Sequence, residues 1–292
     1  MDEKITEKID DLTKEDELEI LKKMCYIRDF EKELIKAFNN NCVHTPIYLS
    51  IGQEAISATI SRFFKPDLIF GQHRGHSTYL AFGGDKVKII DELLGMETGC
   101  CCGRGGSPPV QDENIGMVGH HGLIGENVPL AVGAALGDKS KKIYCVFGDG
   151  AAEEDYVFTS IGFALTHKLP VLFICEDNDL SILTKKCDRR NWELSDALKG
   201  IGMPSVDISD DPAEISHYIN KFKDNLPAFI NIRTCRHHWH TGVGVDNVPE
   251  QDRLELFKNK LINEGKRINI NEICENVNKE VKLLWQERLE KQ

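Results

Sequence analysis

The chain has 292 residues, of which 41% are hydrophobic and 28% charged, a composition typical of soluble globular proteins. Its 36 Lys and Arg face 47 Asp and Glu, and the resulting charge of −11 leaves no basic excess to neutralise a nucleic-acid backbone. No apolar run approaches the roughly 18 residues of a membrane span, and the amino terminus lacks the apolar core of a signal peptide. We therefore expect a cytoplasmic protein that binds neither nucleic acid nor membranes.

The ten cysteines lack the paired spacing of a zinc site. Cys145 and Cys175 lie in strand-like apolar runs, where a thiol serves as a small core residue. Three adjacent cysteines occupy positions 100–102. The pattern favours reduced thiols in a reducing compartment, with a metal-cluster or redox role as the alternative.

The first part of the chain predicts helices and glycine-rich loops. Apolar residues recur at helical spacing over residues 13–40, and residues 53–63 predict a second helix after a turn. Residues 99–106 are rich in glycine and predict a loop. Residues 119–137 combine glycines with small apolar residues, which predicts a loop leading into a tightly packed helix.

A strand–helix–strand unit follows. The apolar run 142–147 predicts a buried strand, residues 153–167 a helix, and the run 170–175 a second strand. Parallel strands joined in this way almost always have a right-handed crossover. We therefore predict a βαβ unit, in which a Gly-Asp-Gly sequence at 148–150 ends the first strand and Asn178 follows the second.

The remaining sequence predicts one more strand at 228–235, a polar segment at 236–248 and charged helix over 250–292. No internal repeat or low-complexity linker divides the chain. We expect one α/β domain with helical additions. Its parts are an N-terminal helical extension (1–40), a central domain (41–248) and a C-terminal helical tail (249–292).

Asp149 and Asn178 predict a metal site, because the carboxyl ends of parallel strands meet at the edge where open α/β sheets bind ligands. A carboxylate and an amide oxygen suit Mg²⁺, whose coordination phosphates and water commonly complete. The carbonyl of Leu180 would add a third ligand. Gly150 allows backbone to approach a diphosphate near the positive end of the following helix. The alternatives for Gly-Asp-Gly are an ordinary turn and a dinucleotide fingerprint, whose third glycine is missing.

Gly-Asp-Gly at 148–150 with Asn178 resembles the thiamine diphosphate motif of transketolases, decarboxylases and 2-oxo acid dehydrogenases. Within that set the chain is similar to the alpha subunit of the decarboxylating component of pyruvate, branched-chain and acetoin dehydrogenases, in order from about residue 15 to 260. The resemblance implies a three-layer thiamine diphosphate-binding fold, with a mostly parallel sheet flanked by helices, and Mg²⁺ as second cofactor. Four segments carry it: Tyr-Ile-Arg-Asp-Phe-Glu at 26–31, Gly-Gln-Glu-Ala at 52–55, Gly-Arg-Gly-Gly-Ser at 103–107, and Gly-Leu-Ile-Gly at 122–125 with Pro-Leu-Ala-Val-Gly at 129–133.

The resemblance also implies the site residues. Asp149, Asn178 and the Leu180 carbonyl would bind the metal. His240, in the place of the family's active-site histidine, would contact the cofactor and steady developing charge, and His76 is the second catalytic candidate. The other implied cofactor contacts are Arg74 and His73 at the diphosphate, Gly150 and Ala151 beside it, and Gly122 and Ile124 at the aminopyrimidine.

Several positions depart from the family pattern. His73 and Leu180 stand where the family has tyrosines. Three acids at 153–155 replace Asn-Gln-Gly, a change that favours the macrodipole of the predicted helix. Residues 241–246 replace a serine-bearing regulatory loop, so phosphorylation control is not expected.

The resemblance further implies a partner. The site of this enzyme class lies between a diphosphate-binding and a pyrimidine-binding domain, and about 40 helical residues after the central domain are too few for the second. A separate beta subunit would supply that domain and its glutamate in an α₂β₂ heterotetramer.

The expected function is decarboxylation of a 2-oxo acid, or cleavage of acetoin, with acyl transfer to a lipoyl acyltransferase. One alternative is a thiamine diphosphate-dependent carboligase subunit that moves a two-carbon unit onto a sugar or aldehyde without a lipoyl partner. The other is a noncatalytic cofactor-binding paralogue.

Overall fold

The structure is a computed structural model that describes residue 9 and residues 11–120, 122–246, 252–264 and 269–292. Within these residues the strands are β1 (Leu68–Phe70), β2 (Met117–Val118), β3 (Ile143–Gly148), β4 (Val171–Asp177), β5 (Leu180–Ser181), β6 (Thr184–Lys185), β7 (Ser205–Ser209) and β8 (Ala228–Arg233).

A parallel sheet forms the centre of the described structure. Its strand order is β2-β1-β3-β4-β8-β7, and each neighbouring pair is parallel. Gly148, the last residue of β3, pairs with Glu176 near the end of β4. The residues that follow these two strands therefore emerge side by side at one edge. A short antiparallel pair, β5 with β6, lies just beyond that edge.

The helices in chain order are α1 (Lys14–Asn39), α2 (Glu54–Phe63), α3 (His76–Ala81), α4 (Lys86–Leu93), α5 (Asn127–Gly137), α6 (Asp155–His167), α7 (Lys186–Arg189), α8 (Leu194–Gly200), α9 (Pro212–Phe222), α10 (Arg253–Asn263) and α11 (Ile270–Leu289).

Helices cover both faces of the sheet, because successive side chains of a strand point to opposite sides. In β4, Leu172 and Ile174 join a core formed with α1, α2, α9, α10 and α11. Phe173 and Cys175 of the same strand join a second core formed with α5, α6 and α8. Parallel strands buried on both faces read as continuous apolar runs. The predicted three-layer α/β fold with a mostly parallel sheet is thus confirmed.

The terminal helices pack on one another. The ring of Trp285 in α11 lies 5.3 Å from that of Phe30 in α1, and both side chains are buried. Both helices therefore contribute to the same core as the sheet. The predicted boundary at residue 248 lies outside the described residues, and the division into three parts stays a prediction.

The predicted helix at 153–167 begins later than expected. Residues 151–153 form a 3₁₀ turn, and α6 starts at Asp155 with Glu154 as its N-cap. The second strand extends to Asp177, which leaves Asn178 as the first residue beyond it. Among the described helices, none is both long and apolar enough to cross a bilayer.

Candidate functional site

A cavity of about 250 Å³ opens at the carboxyl ends of β3 and β4. This is the edge at which open parallel sheets bind ligands. The cavity brings together the side chains and backbone of ten residues singled out from the sequence. They are His73, Arg74, Gly122, Ile124, Asp149, Gly150, Ala151, Asn178, Leu180 and His240.

Asp149 presents a buried carboxylate to this cavity, with 1% of its surface exposed. Burial and the neighbouring Asp177 raise its pKa, and the guanidinium of Arg189 opposes them. A buried carboxylate is stable only with a cationic partner or strong hydrogen bonds. Arg189 provides that partner here through a short ion pair with Oδ2.

Asn178 is held in a fixed orientation. Its Nδ2 donates to Oε1 of Gln53 over 2.9 Å, and its Oδ1 accepts the N–H of Leu180 over 3.2 Å. Gln53 is buried and donates from Nε2 to Glu176 over 3.3 Å. These contacts fix which side of the Asn178 amide carries the oxygen. A fixed oxygen is what a metal ligand at this position would need.

Glu176 lies beneath these ligands and lines the cavity. Burial raises its pKa to about 7, although Gln72 donates to its Oε2 over 2.5 Å and opposes that effect. Its Oε1 is buried without a hydrogen-bond partner among the described residues. Gln53 thus links Asn178 to a carboxyl group that the sequence analysis did not identify.

A backbone cradle follows Asp149. A Cβ added at Gly150 would lie 2.8 Å from Oγ of Ser181, so a larger residue does not fit there. Ala151 begins the 3₁₀ turn directly after it. The space beside Gly150 is therefore filled by the Ser181 side chain, and Gly150 contributes only backbone to the cavity wall.

Arg74 is almost fully buried and lines the same cavity. Its guanidinium donates to the carbonyl of Leu49 and, over 3.2 Å, to that of His240. Burial lowers its pKa to about 10, and Arg236 adds to the effect. It remains a cation at neutral pH and carries positive charge into the site.

Three rings cluster at the cavity wall. Tyr48 lies 5.0 Å from His73 and 5.4 Å from His240, measured between ring centroids. Burial lowers the pKa of His73 to about 2 and that of His240 to about 4, and Arg74 adds to both effects. Both imidazoles are therefore neutral at pH 7. Nε2 of His73 is buried and has no partner among the described residues.

His76 is not brought to the cavity. It is fully buried in α3, with Nδ1 3.1 Å from Glu31 and Nε2 2.8 Å from Oγ of Ser107. Glu31 also accepts from the backbone and hydroxyl of Ser50. Both ring nitrogens are engaged, so this geometry favours a structural role in place of the expected catalytic one.

Among the acids at 153–155, Glu153 forms ion pairs with two arginines in addition to any effect on the helix dipole. Glu153 lies in the 3₁₀ turn and forms ion pairs with Arg189 and, over 2.8 Å, with Arg190. Arg190 also donates to the backbone carbonyl of Asp149 over 2.7 Å. Only Asp155 lies in the first turn of α6, where the dipole argument holds.

The cysteine run at 100–102 forms part of a loop organised by Glu92. The carboxylate of this buried residue accepts four backbone N–H groups over 2.7–2.9 Å, from Cys101, Gly103, Gly105 and Gly106. Four hydrogen bonds use the lone pairs of a carboxylate. Although Cys100 and Cys101 lie close to it, the arrangement favours a loop anchor over a metal site.

Comparison with known proteins places these features in a family context. The family model described as Dehydrogenase E1 component matches residues 22–291. The alpha subunit of an acetoin:2,6-dichlorophenolindophenol oxidoreductase from Bacillus subtilis is 28% identical over 92% of this chain and 88% of its own. The corresponding subunit from Cupriavidus necator is 33% identical over 68% of this chain and 61% of its own.

Longer relatives also match. The mitochondrial pyruvate dehydrogenase E1 component subunit alpha-1 of rice is 29% identical over 66% of this chain and 52% of its own. A transketolase structure from Campylobacter jejuni superposes with a TM-score of 0.61 at 18% identity, over 96% of this chain and 49% of that chain. The chain thus spans about half the length of these two proteins, and the transketolase likeness establishes the fold alone.

Proposed function

Since this chain belongs to the dehydrogenase E1 component family, whose members use thiamine diphosphate and Mg²⁺, we propose that it is the alpha subunit of a heteromeric enzyme that decarboxylates a 2-oxo acid or cleaves acetoin. The acyl unit would pass to a lipoyl acyltransferase. The main support is the cavity, because every cofactor contact implied by the family pattern lines it.

The residues present fit the two cofactors. Asp149 and Asn178, with the carbonyl of Leu180, form an oxygen donor set of the kind that Mg²⁺ prefers. Gly150 presents backbone and no side chain to the cavity, which lets a phosphate approach the chain closely. Bound thiamine diphosphate supplies the carbanion chemistry of the reaction, and the protein binds and orients it.

The charge, protonation or exposure of three further residues indicates a role for each. Arg74 contributes positive charge for the diphosphate, the group that a guanidinium recognises best. His240, neutral and beside Tyr48, offers a hydrogen bond to charge that develops on a substrate oxygen. Ile124, half exposed at the rim, provides an apolar surface for the aminopyrimidine ring.

The alpha-subunit identity of its relatives implies a beta-subunit partner. We propose that the beta subunit supplies the pyrimidine-binding domain and its glutamate in an α₂β₂ assembly. Exposed apolar side chains support this: Leu130 and Leu136 of α5 and Phe163 of α6 are each more than 40% exposed. The two helices pack together, and the Tyr156 hydroxyl of α6 donates to the Ile124 carbonyl ahead of α5. We call Leu130, Leu136 and Phe163 the exposed apolar residues of α5 and α6.

The carboligase alternative has one observation in its favour. The cavity wall carries two neutral imidazoles and a phenol, and Nε2 of His73 lacks a partner among the described residues. Such groups suit a hydroxylated acceptor better than the apolar side chain of a branched 2-oxo acid.

Two measurements test the proposal. The chain copurified with its beta subunit is titrated calorimetrically with thiamine diphosphate in the presence of Mg²⁺, and Asp149→Ala is expected to abolish binding. Unchanged binding in that variant would refute the metal–diphosphate site. The loaded complex is then supplied with 2-oxo acids and either a lipoyl acceptor or an aldehyde. CO₂ release with lipoyl acylation supports the main proposal, whereas a new carbon–carbon bond supports the alternative.

A further inference from the structure

Arg189 contacts the carboxylate of Asp149, the residue proposed above as a metal ligand. It is the last residue of the short helix α7, and its Nη2 forms an ion pair with Oδ2 of Asp149. Its Nη1 forms a second ion pair with Glu153. Only 11% of its side chain is exposed, so both contacts are largely shielded from water.

This arrangement balances charge without a metal. Asp149 and Glu153 carry two negative charges, and Arg189 and Arg190 carry two positive ones. A divalent ion on the Asp149 carboxylate would place like charges a few ångströms from the Arg189 guanidinium. Like charges at such a separation repel one another, and the low exposure of both side chains leaves that repulsion poorly screened. The ion and the guanidinium would therefore compete for this carboxylate.

The local structure lets the arginine leave Asp149 with a small movement. Glu153 already holds the other side of the guanidinium. Arg190 also anchors the chain, through the Asp149 carbonyl at 2.7 Å and the same Glu153 oxygen at 2.8 Å. Nη1 of Arg189 lies near Gly150, the residue that follows Asp149.

We propose that Arg189 and the divalent metal are alternative partners of Asp149, so that the metal binds only as Arg189 moves off the carboxylate. The inference rests on the metal site proposed above. It makes metal affinity a property of the segment that carries Arg189 as well as of the ligands themselves.

The test is Mn²⁺ binding followed by electron paramagnetic resonance on the full chain with its beta subunit. Arg189→Gln removes the competing cation and is expected to tighten Mn²⁺ binding about fivefold or more. Arg233→Gln is the matched control, because Arg233 also forms an ion pair, with Asp207, but its side chain is 61% exposed and does not line the cavity. It should leave Mn²⁺ affinity unchanged. Equal or weaker binding in Arg189→Gln overturns the inference.

Asp149→Asn separates this inference from the metal site itself. If Asp149→Asn abolishes Mn²⁺ binding while Arg189→Gln does not tighten it, the site stands and the competition is wrong. If Asp149→Asn leaves binding unchanged, both ideas fail.

A second measurement uses the wild-type complex and does not depend on a variant folding. Amide hydrogen exchange is compared with and without Mn²⁺ over residues 186–192, which include Arg189 but not the proposed ligand Leu180. Competition predicts a change in this segment, with the strand β4 unaffected. Identical exchange in the two states overturns the inference.

Discussion

The side chains at the cavity depend on hydrogen-bond partners that hold them in position. Asn178 is a useful metal ligand only if its oxygen faces the ion, and the Gln53 carbonyl imposes that orientation. Partners of this kind commonly change metal affinity by about 10- to 100-fold when removed.

Gln53→Leu should therefore weaken Mn²⁺ binding about tenfold or more, because the Asn178 amide is then free to rotate. Ser57→Ala is a suitable control, since Ser57 is also buried in this region but hydrogen-bonds to Ser77 and Thr78 instead. Binding titrations of both variants check the prediction. An equal loss in the two would indicate general damage to α2 and contradict the orienting role.

Because His73 is neutral in the folded chain, we expect it to make the unfolding free energy depend on pH under acidic conditions. Its folded-state pKa is about 2, below the ordinary value near 6.5, so the unfolded chain takes up a proton first as pH falls. The stability that His73 contributes is complete above pH 6.5 and is lost as pH falls from there towards 2. Each pH unit within that window removes at most about 1.4 kcal/mol.

His73→Gln should consequently lose less unfolding free energy than wild type between pH 7 and pH 5. Urea unfolding at the two pH values measures the difference. His44→Gln, which changes an exposed histidine, should behave as wild type. If wild type and His73→Gln lost the same unfolding free energy between the two pH values, His73 would not be the source of the pH dependence.

How much the sequence predicts differs from residue to residue. The ten cofactor contacts follow ordered motifs, and all of them line the cavity. Arg189 lies in a polar stretch with no motif, and Gln53 meets Asn178 only because the fold joins positions 125 residues apart. His76 sits two residues after Arg74, but the start of α3 turns it into the interior instead.

At the scale of elements, the buried strands β3 and β4 were predictable because continuous apolar runs form most of each, and β8 because only Asn231 interrupts its apolar residues before Arg233. The edge strand β7 was not, since its sequence Ser-Val-Asp-Ile-Ser alternates polar and apolar residues over only five positions. Its partner β8 follows after a helix in the chain, so the two strands become neighbours only when the chain folds.

The packing of α11 on α1 gives an element-scale prediction. Trp285 is 1% exposed against Phe30, and truncation of a buried aromatic costs about 3–5 kcal/mol. Trp285→Ala should lower the unfolding free energy by that amount, measured by urea denaturation. Leu283→Ala, two residues away but 59% exposed, should change it by less than about 0.5 kcal/mol. Similar small effects in both would mean that α11 adds little to the core.

At the scale of the whole molecule, we propose that the beta subunit completes a site that this chain builds at one edge of its sheet. We expect the exposed apolar residues of α5 and α6 to contact it. Interface cores are depleted in charge, and a buried carboxylate without a partner is strongly unfavourable there.

Leu136→Asp, at one of these exposed apolar residues, should therefore prevent copurification with the beta subunit while the chain stays folded, because the exposed position tolerates charge in the isolated chain. Leu283→Asp on α11 introduces the same charge at a similarly exposed leucine and should leave the complex intact. Pull-down from co-expressing cells and circular dichroism of each variant measure assembly and folding separately. Assembly that survives Leu136→Asp, or that fails equally in both variants, would assign the beta subunit to another surface. Loss in Leu136→Asp alone would place the beta subunit on α5, the helix whose first residue, Asn127, lines the cavity.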